Sequence, residues 1–149
     1  MANIDAVDLP YKNVPSSHLA NVVAVTGSRT LAANPTAADA IRLCKIPPGF
    51  QAYRLTIKNA DLDSNGTPTL VISAGYRPVD GSAGVDNAFI AAGSTILQAA
   101  SGVGGNSFFV KPVAIEKESY LVLVVGTAAA TFAAGEITAV LEGIGVGVK

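Results

Sequence analysis

Short runs of alternating apolar and polar residues, each closed by a turn rich in glycine or proline, are the feature of this sequence that most restricts its fold. In the clearest run, residues 53–58, three large apolar residues alternate with Arg54, Thr56 and Lys58. Residues 136–143 repeat the pattern. Because a period of two residues places successive side chains on opposite faces of a strand, each run predicts a strand with one buried face.

Further strands are predicted where β-branched or alternating residues lie between obvious turns. They are residues 21–25, 39–46, 69–76, 107–111 and the almost wholly apolar 120–126. In the second of these, strict alternation places Arg42 and Cys44 on one face and Leu43 on the other. Residues 87–101 fit either a helical face or two short strands. The glycine-rich tail, residues 143–149, is not expected to form a strong strand.

About eight short strands separated by turns predict an all-β fold, an antiparallel β-sandwich of the jelly-roll type. Strands and helices do not alternate, which argues against a nucleotide-binding α/β fold. A chain of 149 residues can bury the core of one domain. We predict an extended N-terminal arm, residues 1–20, followed by the sandwich, residues 21–149. The predicted core residues are Tyr53, Leu55, Ile57, Leu70, Ile72, Leu121, Leu123 and Leu141.

The predicted arm has neither a strand period nor a helical period, and Pro10 and Pro15 interrupt it. Four apolar side chains are scattered through it without a common face: Leu9, Tyr11, Val14 and Leu19. Such a segment cannot form an element by itself, yet it would leave these side chains exposed. We therefore expect the arm to become ordered on a partner by adding a strand to a neighbouring sheet, with these four side chains in the contact.

The charge of the chain excludes several kinds of partner. Ten basic and eleven acidic residues give a net charge of −1, and charged residues form only 14% of the chain. No cluster of Lys and Arg is present to bind nucleic acid. The N-terminus lacks the pattern of a signal peptide, and no apolar run approaches the roughly 20 residues of a membrane span. A weakly charged, alanine-rich surface favours coverage by a partner or by further copies of the chain.

The segment DLDSNG, which begins at Asp61, is similar to the opening of an EF-hand loop. An EF-hand requires Glu at the twelfth position, and Ile72 stands there, so this site is rejected. A looser calcium site formed by Asp61, Asp63 and Asn65 is one alternative. A hairpin turn in which Asn65 and Gly66 adopt positive φ explains the same residues more simply, and we predict no metal site.

No group of residues predicts catalysis. Cys44, the only cysteine, lies in an apolar run and is predicted to be a buried thiol. His18, the only histidine, follows no nucleophile elbow. The glycine run 102–105 lacks the Lys and Ser or Thr of a phosphate-binding loop. Glu116 and Glu118 share one charged turn, where they cannot flank a substrate. We predict that the protein is not an enzyme and binds no cofactor.

Two segments, residues 41–49 and 61–70, resemble the small structural proteins of tailed-phage virions of the capsid cement or decoration type. In that pattern an apolar strand ends in LP-(A/P)-G, and a second strand leads to DLD-x-(N/D)-G-(T/S)-P-T-L and a strand ending in glycine, here Gly75. Ile46 stands where the pattern has Leu. Residues 134–137 resemble the entry to the final strand of these proteins. The firm part of the match covers about a third of the chain.

This resemblance implies a structural protein, made in the host cytoplasm, that binds joints between major capsid protein subunits on the outside of the head. A homotrimer at threefold positions is favoured, and a homodimer is the alternative. The rival function is a carbohydrate- or receptor-binding β-sandwich of a phage tail or another virion part. The absence of Trp and the presence of only four Tyr argue against it. A cellular, non-viral shell or matrix protein is a further alternative.

Overall fold

The computed structural model describes residues 3–5 and 22–147, and every regular element in these ranges is a β-strand. The strands are β1 (Asn3–Asp5), β2 (Val22–Leu31), β3 (Ala40–Ile46), β4 (Phe50–Asn59), β5 (Val71–Pro78), β6 (Val85–Ser94), β7 (Asn106–Ile115), β8 (Ser119–Thr127) and β9 (Gly135–Gly145). The all-β class predicted from the alternating runs is confirmed. No helix that could span a membrane occurs in these ranges.

The strands form two sheets, a five-stranded sheet in the order β1-β3-β8-β5-β6 and a four-stranded sheet in the order β2-β9-β4-β7. Four antiparallel pairs are nested within one another along the chain: β2 with β9, β3 with β8, β4 with β7 and β5 with β6. The pairs β4–β9 and β5–β8 join these four pairs into sheets, and β1 adds to the edge of the five-stranded sheet by pairing in parallel with β3. The chain from β2 to β9 is therefore one long hairpin rolled into a sandwich, which is the jelly roll that was predicted.

The core lies between the inner faces of the two sheets. Seven of the eight predicted core residues are buried there, namely Leu55, Ile57, Leu70, Ile72, Leu121, Leu123 and Leu141. The prediction for Tyr53 is wrong, because its side chain is only half-buried. Tyr53 is the extra residue of a β-bulge between Ala52 and Arg54, and a bulge reverses the alternation of side chains at that point.

The strict alternation predicted for residues 39–46 is wrong, because β3 contains a second bulge. Leu43 is the extra residue between Arg42 and Cys44, so Arg42 and Lys45 are half-exposed while Leu43 and Cys44 are buried. The burial predicted for Cys44 is confirmed. Strand β2 passes close to this bulge at Gly27, where a Cβ atom would lie 1.9 Å from the carbonyl oxygen of Leu43. A side chain at Gly27 is therefore excluded by the approach of the two strands.

Several strand boundaries differ from the predictions. Residues 87–101 contain no helix, since β6 continues to Ser94 and a turn follows. Strand β5 ends at Pro78 and β6 begins at Val85, so the loop between them consists of residues 79–84. The glycine-rich tail does form a strand as far as Gly145, because β9 is central and pairs with both β2 and β4.

Strand β7 is longer than predicted and runs through Pro112 to Ile115. Proline cannot donate a backbone hydrogen bond, but β7 is an edge strand, where one side needs no donor. Gly75, taken as the end of a strand, lies inside β5. A Cβ atom there would lie 1.9 Å from the carbonyl oxygen of Val85, so glycine is required where β6 begins.

The antiparallel topology collects the loops at two opposite ends of the sandwich. The terminal end, as we call it, consists of loops 47–49, 79–84 and 116–118 together with the start of β2 and residues 145–147. The Asp63 end consists of loops 32–39, 60–70, 95–105 and 128–134. The terminal end thus has the shorter loops, and β2 begins and β9 ends there.

Candidate functional site

Within residues 3–5 and 22–147, no three His, Cys, Asp or Glu side chains stand close enough together to hold a metal ion. The charged turn predicted at residues 116–118 lies between β7 and β8, and its side chains join neighbouring elements. Lys117 Nζ lies 2.8 Å from a carboxylate oxygen of Asp80, and Lys45 Nζ lies 3.2 Å from one of Glu118. His18 lies outside the described residues.

The DLDSNG segment contains a structural anion. Asp63 is only 1% exposed, and its carboxylate oxygens accept hydrogen bonds from four backbone N–H groups. The donors are those of Thr69 (2.7 Å), Leu70 (3.0 Å), Ala130 (3.2 Å) and Thr131 (3.0 Å). Burial acts to raise the pKa of Asp63, but the four donors outweigh it and hold that pKa well below its usual range. The charged carboxylate thereby connects two loops of the Asp63 end.

This arrangement bears on both sequence interpretations of the segment. The hairpin turn is wrong, because β4 and β5 belong to different sheets and Gly66 does not adopt positive φ. The calcium alternative is not supported, because backbone N–H groups already donate to the oxygens that a cation would need. The N–H of Asp63 donates to Asp61 (3.1 Å), and the N–H of Thr67 donates to Asn65 (2.8 Å).

Further hydrogen bonds connect the remaining loops of the Asp63 end. The side chain of Asn34 donates to the carbonyl of Ala129 (2.9 Å) and accepts from its N–H (3.3 Å). The side-chain amide of Gln98 donates to the carbonyl of Leu70 (2.9 Å). Together with the four bonds to Asp63, these contacts link all four loops. These polar side chains therefore hold the loops of the Asp63 end together.

The terminal end carries exposed apolar side chains instead. Val22 is 70% exposed, Val79 is 41% exposed and Val146 is 38% exposed. They are three of the six large apolar residues that are exposed in the described ranges. Of the other three, Val85 begins β6 at the terminal end, Val103 lies at the Asp63 end and Phe109 lies on the edge strand β7.

Cavities also lie at this end. One, of about 380 Å³, lies between loops 79–84 and 116–118 and is lined by Tyr76, Pro78, Ser82, Ala83, Ala114, Ile115, Glu116, Lys117 and Ser119. A second, of about 250 Å³, is bordered by Val79 and by Arg42, Arg77 and Tyr120. A third, shallow and of about 520 Å³, is bordered by Val79, Asp80, Lys117 and Glu118. A partner side chain of moderate size would fit in the first or the second. The apolar surface at this end is therefore concave as well as exposed.

Ion pairs and backbone bonds fix the loops of the terminal end. The N–H of Val79 donates to the carbonyl of Glu118 (2.9 Å), which joins two loops. Arg77 makes two hydrogen bonds to Asp86 (2.7 and 2.8 Å), which raise the pKa of Arg77 and lower that of Asp86. Hydrogen bonds from Lys117 and then from Ser82 hold the pKa of Asp80 well below its usual range.

The predicted binding residues Leu9, Tyr11, Val14 and Leu19 lie outside the described residues. The described start of the arm, Asn3–Asp5, forms β1, which pairs in parallel with the beginning of β3. Asp5 forms an ion pair with Arg42, whose guanidinium lies 4.6 Å from the centroid of the Tyr120 ring. This strand was missed because three residues are too few to show a period, and the first part of the arm covers the edge of its own sheet.

No protein-family model matches the sequence, and no curated protein matches it. Among solved structures, a chain in the capsid of Ralstonia phage GP4 shares the fold with a TM-score of 0.75 and 26% sequence identity, over 95% of this chain and 97% of that chain. This chain resembles a phage capsid protein along nearly its whole length. The resemblance to phage virion structural proteins stated from the sequence is thereby confirmed.

Two further capsid structures contain the same fold. A chain of the cyanophage Pam1 capsid asymmetric unit matches with a TM-score of 0.67 and 24% identity, over 91% of this chain and 99% of that chain. A chain of the acid-stable capsid of Helicobacter pylori bacteriophage KHP30 matches with a TM-score of 0.56 and 12% identity, over 87% and 92%. These two show the fold alone, and the structural role in a capsid is supported by the match to the phage GP4 capsid chain.

Proposed function

We propose that this protein is a capsid cement or decoration protein that binds joints between major capsid protein subunits on the outside of a phage head. The observation that carries the proposal is the match to a chain of the phage GP4 capsid over nearly the full length of both chains. Because almost nothing of either chain lies outside the match, the whole body of this protein corresponds to a capsid component.

The surface chemistry agrees with this role. Within the described residues no His, Cys, Asp and Glu side chains are grouped to hold a metal ion, whereas exposed apolar side chains and cavities lie together at the terminal end. A cement protein attaches in many copies, so a small contact in each copy is enough when the copies act together. The carbohydrate-binding alternative gains nothing from the described surface, where Phe109 is the only strongly exposed aromatic residue.

Heads of the parent phage, prepared from virus that lacks this protein, provide the direct test. The purified full chain should co-sediment with these heads, saturate at a fixed number of copies per head, and raise the temperature at which the heads release DNA. A protein that stays in the supernatant at saturating concentration would contradict the proposal.

We propose further that the free protein is a homo-oligomer, with a trimer favoured because it suits threefold positions and a dimer as the alternative. The small charged fraction of the chain supports association. Light scattering of the full chain should give the mass of a trimer or a dimer. A clean monomer at high concentration would contradict both.

We also propose that the arm contributes to attachment through Leu9, Tyr11, Val14 and Leu19. Deleting residues 1–20 should leave the circular dichroism spectrum unchanged and weaken binding to heads by at least about tenfold. Because the deletion also removes β1, a variant with alanine at the four apolar positions isolates their contribution and should weaken binding similarly. If the truncated chain binds heads as well as the full chain, the arm does not contribute to attachment, and the loops of the sandwich must provide the contact.

A further inference from the structure

We infer that the terminal end of the sandwich is the surface that rests on the capsid, and that it binds an apolar, uncharged part of a capsid subunit. This inference rests on the proposed cement function and specifies its contact surface. It is drawn from three features of the described residues: where apolar side chains are exposed, how the charges of this end are paired, and how firmly its loops are held.

Exposed apolar residues and cavities coincide at the terminal end. Val22, Val79 and Val146 belong to three separate segments of the chain, yet all three are exposed at the same end. The cavity of about 250 Å³ is bordered by Val79 and provides a recess that a partner side chain would fill. Burial of apolar surface is the main favourable contribution to protein association, so this end offers the most to a partner.

The charges at this end indicate the chemistry of the partner. Lys117 is paired with Asp80, Lys45 with Glu118, and Arg77 with Asp86. Since these charges are balanced within the chain, a charged partner surface would gain nothing from them and would lose its hydration. An apolar, uncharged surface is complementary, and its binding would depend little on salt.

The loops at this end are already in place for binding. They are short, and the bond between Val79 and Glu118 and the ion pair between Asp80 and Lys117 hold them together. A surface that is ordered before binding avoids the entropy cost of ordering itself on the partner. Val22 is also the first described residue after the proposed arm, so the arm and this surface adjoin each other along the chain.

Substitution of exposed valines in the full chain tests the surface. Val79→Asp and Val22→Asp each place a charge at the terminal end and should weaken binding to heads that lack the protein by at least tenfold. Val103→Asp is the matched control, because Val103 is 97% exposed and lies at the Asp63 end. It should bind like the wild type, as should Phe109→Asp. Thermal unfolding of each variant checks that the fold is intact.

A salt series with the same heads tests the chemistry of the contact. Raising the salt from about 50 to 500 mM should change the affinity of the wild type less than about threefold, since charges separated by more than a few ångströms are screened at the upper concentration. A fall of a hundredfold would show that the contact is ionic and would overturn the inference.

The remaining outcomes separate this inference from the proposed function. If the wild type binds heads and both terminal-end variants bind equally well, the surface is wrong and the cement function stands. If Val79→Asp changes the mass of the free protein by light scattering but leaves binding to heads unchanged, the terminal end is a contact between copies and the inference is overturned. If the wild type itself does not bind heads, the inference and the proposed function fail together.

Discussion

The two ends of the sandwich consist of loops between the same strands, yet they are stabilised in different ways. At the Asp63 end a buried carboxylate and several side-chain amides take up the polar groups of four long loops. At the terminal end, ion pairs on the surface hold short loops and leave valines pointing outward. In this jelly roll, buried hydrogen bonds stabilise the Asp63 end, whereas the terminal end keeps apolar side chains exposed.

Loop length explains the difference. A long loop has many backbone N–H groups that no neighbouring strand can pair, and a buried unpaired donor is costly. Asp63 accepts from four of them at once, which a neutral side chain of that size could not do. Short loops leave few such groups, so the terminal end needs no buried anion and its residues are free to serve a contact.

Replacing the buried anion should have the largest effect on stability. Asp63→Ala removes the acceptor of four backbone N–H groups at once, so we expect the Tm to fall by about 10 °C or more. Thermal unfolding followed by circular dichroism measures it. Asp61→Ala is the control, since the exposed Asp61 accepts a single backbone N–H, that of Asp63, and its effect should be much smaller. Equal effects of the two substitutions would show that the buried carboxylate does not carry the stability of the Asp63 end.

The cost of shortening a core side chain provides a reference for the stability effects at the two ends. Leu55 is fully buried on β4, and Leu55→Ala should lower the free energy of unfolding by about 2–5 kcal/mol through lost apolar burial and a residual cavity. Urea denaturation gives this value. A cost near zero would mean that the inner face of β4 is assigned incorrectly.

The contribution of Asp63 should depend on pH in a defined direction. Its pKa is lower in the folded state than the roughly 3.9 of an unfolded chain, so the ionised form stabilises the fold above that pH. The stabilisation is lost as the pH falls through the folded-state pKa. The difference in stability between the wild type and Asp63→Asn should therefore be constant from about pH 5 to 8 and shrink below about pH 4.

If the difference in stability between the wild type and Asp63→Asn shrinks instead as the pH rises above neutrality, a group other than Asp63 is responsible for the pH dependence. If Asp63→Asn does not fold, titration of the Asp63 carboxyl in the wild type by NMR measures the same pKa directly. It should remain ionised at pH 3.

The smallest effect on stability is expected from the ion pair of the terminal end. Asp80 and Lys117 are both more than half exposed, and such pairs are screened by solvent, so Asp80→Ala should lower the Tm by less than about 2 °C. Hydrogen exchange sharpens the comparison. The N–H groups of Leu70 and Thr131, which donate to Asp63, should exchange far more slowly than that of Ser82, which donates to the exposed Asp80. Similar rates would contradict the proposed division between the ends.

Much of the fold was predictable because the inner face of each strand leaves a period of two residues in the sequence. The strands around Leu55 and Leu141 follow that period, and both residues are buried where they were predicted. The predictions failed where a bulge adds a residue. At Tyr53 and at Leu43 the alternation of buried and exposed side chains shifts by one residue. Neither residue has a local property that predicts a bulge.

The candidate surface was much less predictable. The arm residues selected from the sequence lie outside the described ranges. The valines of the terminal end were not predicted to form a surface, because single apolar residues in turns are common. Val22 and Val146 are separated by most of the chain and share an end only because β2 and β9 pair. No local pattern carries that information.

The alternation of apolar and polar residues by itself determined that the chain is all-β, that it has two buried sheet faces and that it forms one sandwich, because burying apolar surface is a property of each strand separately. The tertiary structure decided which strands pair, and therefore which loops meet. It made Asp63 a buried anion instead of a turn residue and gathered the exposed valines at the opposite end. Both results depend on residues far apart in the sequence, and only the rolled hairpin of nested strand pairs brings them together.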